Sequence, residues 1–327
     1  MDPRVQGNRV RKLHLDTDLG GDIDDLCALA MVLHWPAAEL LAVTTVAGDQ
    51  GRRAGYARYA LDLAGRADVP VAAGAGVSPG AYRPRPGYLP ESRYWPEPIA
   101  PLPAAPERAL ALLRHSVEQG ATIVAIGPFT NLALLEQRAP GILRHANLYL
   151  MGGYVFPPRD GYPPFTNEMD WNVQVDVTSA RLVLQRADPT LIPLTVTVET
   201  WLRKAYLPAL RAAGPLAQLI ARQAEAFAAD EQVGVRYGQS YPGLPGDIVN
   251  FQHDPLACAI ALGWNKGVET REVRLQMALK DDLLCQRPAA GGKPTRVVTR
   301  VDGAAFSREW LRLVTGAAPV DSGRRFD

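Results

Sequence analysis

The sequence is poor in cysteine and histidine and carries no surplus of either charge. Its three cysteines, Cys27, Cys258 and Cys285, are widely spaced and form no C-x-x-C pair. Neither a disulfide framework nor a zinc knuckle is indicated, and they read as reduced structural thiols. Lys and Arg (35) nearly cancel Asp and Glu (34), which leaves no positive field to gather nucleic acid or coat an anionic membrane. No apolar run of about 18 residues is present to cross a bilayer. The opening MDPRVQGNRVRKLHLD also lacks the apolar stretch of a signal peptide. The expectation is a cytoplasmic protein with a small-molecule partner, and no dealings with nucleic acid or membrane.

What is present suits a folded enzyme. Hydrophobic residues make up 47% and charged residues 21% of 327 positions, enough for a sizeable core. We expect one large domain over residues 1–327. Apolar runs of strand length alternate with amphipathic stretches: KLHLDTD, then DDLCALAMVLHW, then ELLAVTTVAGD. The alternation continues through GRRAGYARYALDLAG, VPVAAGA, PERALALLRHSVEQG, ATIVAIG, TNLALLEQR and NLYLMGG. This is the pattern of an α/β protein, with a mostly parallel, Rossmann-like open sheet covered by helices on both faces. Near the end, HDPLACAIALGW and AAFSREWLRLVTG read as helices, and EVRLQMALK and TRVVTRV as strands able to pair antiparallel. Pro- and Gly-rich composition marks a surface insertion over 77–106, a polar stretch over 156–170 and a mobile loop near 234–246.

The chemistry concentrates in KLHLDTDLGGDIDDLCALAMVL. A strand delivers Asp16 and Asp18, a Gly-Gly turn reverses the chain, and Asp24 and Asp25 begin a helix; ligands of open α/β sheets bind at such strand ends. Carboxylates so crowded repel one another unless a cation joins them, and oxygen-only ligands favour a hard ion, calcium before magnesium. Helix capping accounts for Asp24 and Asp25 but not for Asp16 and Asp18 at the end of an apolar strand. Later strand ends offer Thr45 and Asp49, Thr130 and Asn131, Met151, and His253 with Asp254. Taken singly these are weak, since Thr130 and Asp254 could each cap a helix and His253 could be structural.

Read together, DTDLGGDIDD, TTVAGD, GPFTNLAL, LMGG, DWNVQVD and HDPLA resemble the inosine-uridine nucleoside hydrolase family over about residues 13–262. The resemblance implies calcium-dependent hydrolysis of the N-glycosidic bond of a ribonucleoside or related riboside, in a homodimer or homotetramer. It makes Asp18 a metal ligand and the base that deprotonates water. Asp25, Asp254 and the Thr130 carbonyl would be the remaining ligands, and Asp16 a support behind them. It assigns Asp24 and Asn172 to the ribose 2′- and 3′-hydroxyls and Asp170, where the family usually has Glu, to the 5′-hydroxyl. Asp49, Met151 and Asn167 join the substrate-binding group, and His253, with an ordinary pKa near working pH, becomes the acid for the departing base. Asp22 is surplus to the pattern and has no assigned role. Tyr237 and Tyr241, with Arg83, Arg85, Tyr88, Tyr94 and Trp95 of the insertion, could face the base or merely pin their loops.

Two other readings compete. A magnesium-dependent phosphatase also places Asp-x-Asp after its first strand, and Lys280 with Asp281 and Asp282 would imitate its later motif, but no hydroxyl residue follows Asp18 where one is needed. A non-catalytic nucleoside-binding protein on the same scaffold is opposed by the retained Asp18, Asp25 and Asp254.

Overall fold

In the computed structural model, residues 10–47, 50–76, 91–96 and 98–317 are described. The first half winds β1 (Arg11–Thr17), α1 (Asp24–Leu33), β2 (Ala38–Thr45), α2 (Arg52–Leu63), β3 (Val71–Ala73), α3 (Pro106–Glu118), β4 (Thr122–Ala125), α4 (Thr130–Arg138) and β5 (Asn147–Met151). Short elements follow: α5 (Trp171–Gln174), α6 (Val177–Arg186), β6 (Thr190–Ile192), α7 (Leu194–Thr197), β7 (Trp201–Arg203) and α8 (Leu207–Ala212). The chain closes with α9 (Pro215–Glu231), β8 (Ile248–Phe251), α10 (His253–Ala261), β9 (Glu269–Lys280), β10 (Leu283–Pro288), β11 (Lys293–Arg300) and α11 (Gly303–Thr315).

Nine strands form one sheet in the order β10-β9-β11-β6-β5-β4-β1-β2-β3. The seven from β11 to β3 are mutually parallel, and β9 and β10 extend the β11 edge antiparallel. β7 and β8 pair separately. Strand β4 shows why both faces must be covered. Ile123 and Ala125 enter one apolar cluster, with residues of α3, α4 and α6, while Val124 and Ile126 enter the other, with residues of α1, α9, α10 and α11. A strand with side chains alternating between two dry faces reads as a continuous apolar run.

Chain order reverses at β1, which lies between β2 and β4. At such a switch point, the carboxyl ends of β1 and β4 are where open α/β sheets bind their ligands. Several features differ from expectation. Strand β10 was not anticipated, because LLCQRP is short, half-exposed and paired only through β9. Asp281 and Asp282 are the two central residues of the β9–β10 hairpin, with φ of 51° and 65°. A two-residue turn with both φ positive is the hairpin connection that matches strand twist and favours Asp, so this pair serves the turn rather than a phosphatase motif. The 234–246 stretch opens with a π-helical turn, Gly234–Gly238. Within the 77–106 insertion, residues 77–90 and 97 lie outside the described residues, Arg83, Arg85 and Tyr88 among them. Tyr94 and Trp95 are buried. Trp95 stacks on Tyr56 at 4.3 Å and donates its indole N–H to the Gly20 carbonyl at 3.0 Å, which pins the insertion to the turn after β1.

Candidate active site

Two helices aim their N-termini at one point. Asp24 and Asp25 stand in the first turn of α1 and Asp254 in the first turn of α10, and the three buried side chains offer oxygens within 4.8 Å of one another. None of the three is the side-chain cap of its helix. The cap positions are Ile23 and Gln252, without side-chain bonds, and it is the surplus Asp22 whose Oδ1 accepts from the Asp24 N–H at 3.3 Å. The same oxygen accepts from the Asn250 amide on β8, so Asp22 ties the start of α1 to the strand leading into α10. The Asp254 N–H in turn donates to Asp24 at 3.4 Å, across 230 residues of sequence.

Burial first, and then repulsion from neighbouring carboxylates, Asp22 on Asp24, Asp18 on Asp25 and Asp24 on Asp254, pushes all three well above the usual range. Two carboxylates 4.8 Å apart repel by ~3–4 kcal/mol at an effective dielectric near 20, and helix N-termini return only about 0.3–1 kcal/mol each at exposed sites. A hard cation is the physical counterpart that such an all-oxygen group fits. A second observation agrees: Asp16, in β1, has one buried oxygen, Oδ2, with no hydrogen-bond partner.

Asp18 lies beside the trio, and its charge helps to raise both Asp25 and Asp254. Its Oδ2 accepts from the Trp171 indole at 2.8 Å and lies 3.7 Å from the Arg53 guanidinium. Both neighbours oppose the upward push of burial on Asp18. Neither Arg53 nor Trp171 was singled out from the sequence, although Trp171 sits inside the DWN motif. Arg53 had a fainter signal, as a basic residue on an otherwise Ala-, Gly- and Tyr-faced stretch of α2. Thr17 donates its hydroxyl to Asp25.

The remaining candidates are placed as follows. Thr130 begins α4, but its hydroxyl donates to Asp176 at 2.6 Å instead of capping its own helix. Asn172 fastens Nδ2 to the Ile126 and Met151 carbonyls at 2.9 and 3.1 Å, which ties α5 to the ends of β4 and β5, with the Met151 sulfur at 3.3 Å. Asp170 caps α5 through the Val173 N–H at 3.3 Å and also accepts from the Gly153 N–H. Burial pushes its carboxyl up to about 6. Asn167 is half-buried and turns its amide toward the Cys285 sulfur of β10 at 3.4 Å. Asp49 lies outside the described residues. His253 opens α10, stacks on Phe251 at 5.4 Å and shares a 2.7 Å hydrogen bond with the Thr197 hydroxyl. Contrary to an ordinary pKa near working pH, burial lowers it to about 3, so the imidazole is neutral at pH 7. Phe165, Tyr237 and Phe251 pack edge to face or tilted at 5.4–5.8 Å, which brings the 156–170 and 234–246 stretches together beside His253.

Gly127, at the end of β4, has no room for a side chain. A Cβ there would stand 2.8 Å from the Asp18 backbone N and 2.9 Å from Asp18 Oδ1 and Val46 Cγ1. Gly127→Ala is expected to lower stability by about 1–3 kcal/mol, the usual cost of overpacking, and to displace Asp18. Urea unfolding and kcat would check both, and a variant with unchanged activity would show that Asp18 tolerates the push.

The fold and site define a class: a doubly wound α/β protein with a buried acidic cluster beside its switch point. Residues 13–308 match the inosine-uridine preferring nucleoside hydrolase family, and the chain belongs to that family, whose members act on N-glycosidic bonds. It is 30% identical over 273 residues to a pyrimidine-specific ribonucleoside hydrolase of Salmonella arizonae, covering 76% of this chain and 77% of the relative. An uncharacterised protein of Schizosaccharomyces pombe is 31% identical over 196 residues, covering 57% of this chain and 62% of its own length, so that match spans less than two thirds of the relative. In fold the chain is similar to a plant nucleoside hydrolase (TM-score 0.75, 21% identity, 94% of this chain and 99% of the other). It is likewise similar to a purine-preferring ribonucleoside hydrolase from Gardnerella vaginalis (TM-score 0.74, 24% identity, 94% and 99%). Among the described residues no helix is long and apolar enough to cross a membrane.

Proposed function

We propose that this protein hydrolyses the N-glycosidic bond of a ribonucleoside to free base and ribose, with calcium held by Asp18, Asp25, Asp254 and the Thr130 carbonyl. The observation that carries the reading is the convergence of Asp24, Asp25 and Asp254 within 4.8 Å from two helix N-termini. When bound, the ion holds and polarises the attacking water. Asp18 takes the proton from that water, its second oxygen steadied by the Trp171 indole. Asp24, Asp49, Asn167, Asp170 and Asn172 receive the sugar, with Met151 beneath it. Cleavage passes through an oxocarbenium-like state, and a carboxylate-lined pocket stabilises the positive charge that develops on the ribose.

Burial keeps His253 neutral at pH 7, and the Thr197 hydroxyl, which donates to the Leu194 carbonyl, takes its Nδ1–H, so His253 is poorly suited to deliver a proton to the departing base. Phe165 and Phe251 are buried beside it, which leaves the partly exposed Tyr237 as the ring of this group able to meet a flat base. A panel of purine and pyrimidine ribonucleosides, scored for free base and free ribose with and without a chelator, tests the reading. Base and ribose should appear together and stop on chelation. Release of phosphate from phosphorylated substrates without release of base would replace it with the phosphatase reading.

A further inference from the structure

A histidine sits where strand β1 has no apparent need of one. Leu13 and Leu15 of β1 fill the core on the α1 side, whereas His14 and Asp16 point to the opposite face, and all four are fully buried. His14 Nδ1 lies 2.8 Å from the Ser116 hydroxyl of α3, and Nε2 lies 3.0 Å from the Thr44 hydroxyl of β2. Thr44 donates to Asp16 Oδ1 at 2.5 Å, and the Asn131 amide donates to the same oxygen at 2.8 Å.

The directions of these bonds follow from counting protons. Asn131 is oriented by the Ala75 N–H, which donates to its Oδ1 at 3.0 Å, so its Nδ2 is the group facing Asp16 and the Thr45 carbonyl. Asp16 Oδ1 therefore accepts from both neighbours. Thr44 has a single hydroxyl proton, directed at Asp16, so it can only accept from His14 Nε2–H. The bare Nδ1 then accepts from Ser116. An imidazolium could donate to both hydroxyls, but burial lowers His14 to about 3, so the imidazole is neutral at pH 7 and Nδ1 is bare. Every donor points the same way, from α3 through β1 and β2 to Asp16, and bonds aligned head to tail polarise one another. The other Asp16 oxygen, Oδ2, is buried without a protein partner, which costs about 1–3 kcal/mol unless something at the site meets it.

We propose that Ser116, His14 and Thr44 form a one-way hydrogen-bond relay that locks Asp16 by Oδ1 and reserves Oδ2 for the ligand side of the site, which makes His14 and Thr44 positioning residues. The inference rests on the reading of Asp16 as the support behind Asp18. A residue that only filled the core would need no directional chain, and an aliphatic side chain would do as well there.

Two measurements decide it. The first, 15N NMR of the imidazole in the wild-type protein, needs no activity: His14 should be a single Nε2–H tautomer with bare Nδ1, unchanged from about pH 5 to 8. An Nδ1–H tautomer or a mixture overturns the relay. The second compares variants. The Gln amide of His14→Gln reaches the place of Nε2 and still donates to Thr44, whereas that of His14→Asn reaches only the place of Nδ1. His14→Asn and Thr44→Val should lose about 10- to 100-fold in kcat, and His14→Gln should stay within about threefold of wild type, although both His14 variants lose one partner and similar thermal stability. Equal losses in Gln and Asn, or a fall in Tm with kcat unchanged, would overturn the positioning role. Should Asp18→Asn remain active while the tautomer is as stated, the failure belongs to the role of Asp18 and the relay stands.

Discussion

Replacement of Asp18 with Asn is expected to lower kcat by ~10^2- to 10^4-fold, the range over which a general base is worth its place, while in the presence of chelator the variant melts no earlier than wild type. The two halves of this expectation have separate causes. Asn cannot take a proton from water. It can, however, still accept the indole N–H of Trp171, and it removes a charge that repels Asp25 and Asp254. With chelator present, where no ion is held by Asp18, stability should therefore be unchanged or slightly raised, which distinguishes the loss in activity from unfolding. Steady-state kinetics and a thermal melt on the same preparation check both halves, and activity within about tenfold of wild type would remove Asp18 from the role of base.

Removal of the proposed calcium ion is expected to have the second large effect, on stability as well as rate. A ligand at 100 times its Kd stabilises by about 2.7 kcal/mol, so chelation should lower Tm by on the order of 5 °C and abolish turnover, and added calcium should restore both. The metal-free protein should also show a characteristic pH dependence. Burial raises Asp16 to about 7 and Asp170 to about 6, and holds Asp24, Asp25 and Asp254 well above the usual carboxylate range. An acid whose folded pKa is raised binds more protons in the native state than in the unfolded chain, so stability falls as pH rises. The slope begins near the free carboxylate value of about 4 and persists through about 7. Calcium should flatten it by taking the place of the protons. Melts from acid to neutral pH, with and without chelator, measure the slope; a metal-free protein that grows more stable over that window would contradict the carboxylate account.

Much of this site could be read before the fold was known. A strand ending in Asp-x-Asp, a glycine turn and an Asp-Asp helix start are local features, and each local feature sits where its pattern implied. The segment around Thr130 and Asn131 also reaches that strand edge, because a parallel sheet sends all its carboxyl ends one way, whereas Asp254 follows β8 of the separate antiparallel pair and arrives by packing of α10, not by the sheet. Asp22 was harder, since its partner Asn250 is 228 residues distant and nothing in the local pattern points to it. His14 left no trace, because a histidine inside an apolar strand looks the same whether it is idle or bonded on both sides. Trp95 and Tyr94 could not be assigned between base and loop from composition, and their burial against Tyr56, Phe227 and the Gly20 carbonyl settles them as packing.

By itself, then, the sequence determined the alternation of strands and helices, the parallel character of the sheet and the chemistry of the residues at its strand ends, since hydrophobic periodicity, glycine turns and carboxylate crowding are local and written into neighbouring positions. The tertiary structure decided which carboxylates meet, that Asp24 joins Asp25 and Asp254 while Asp18, beside them, accepts from Trp171 and faces Arg53. It also decided that strand β10, through the Leu284 backbone paired at 2.9 and 3.1 Å with the Gln174 amide, braces the helix carrying Trp171 and Asn172. Such contacts depend on distances between chain segments, and a carboxylate's neighbours across a sheet are set by packing that no single stretch of sequence contains.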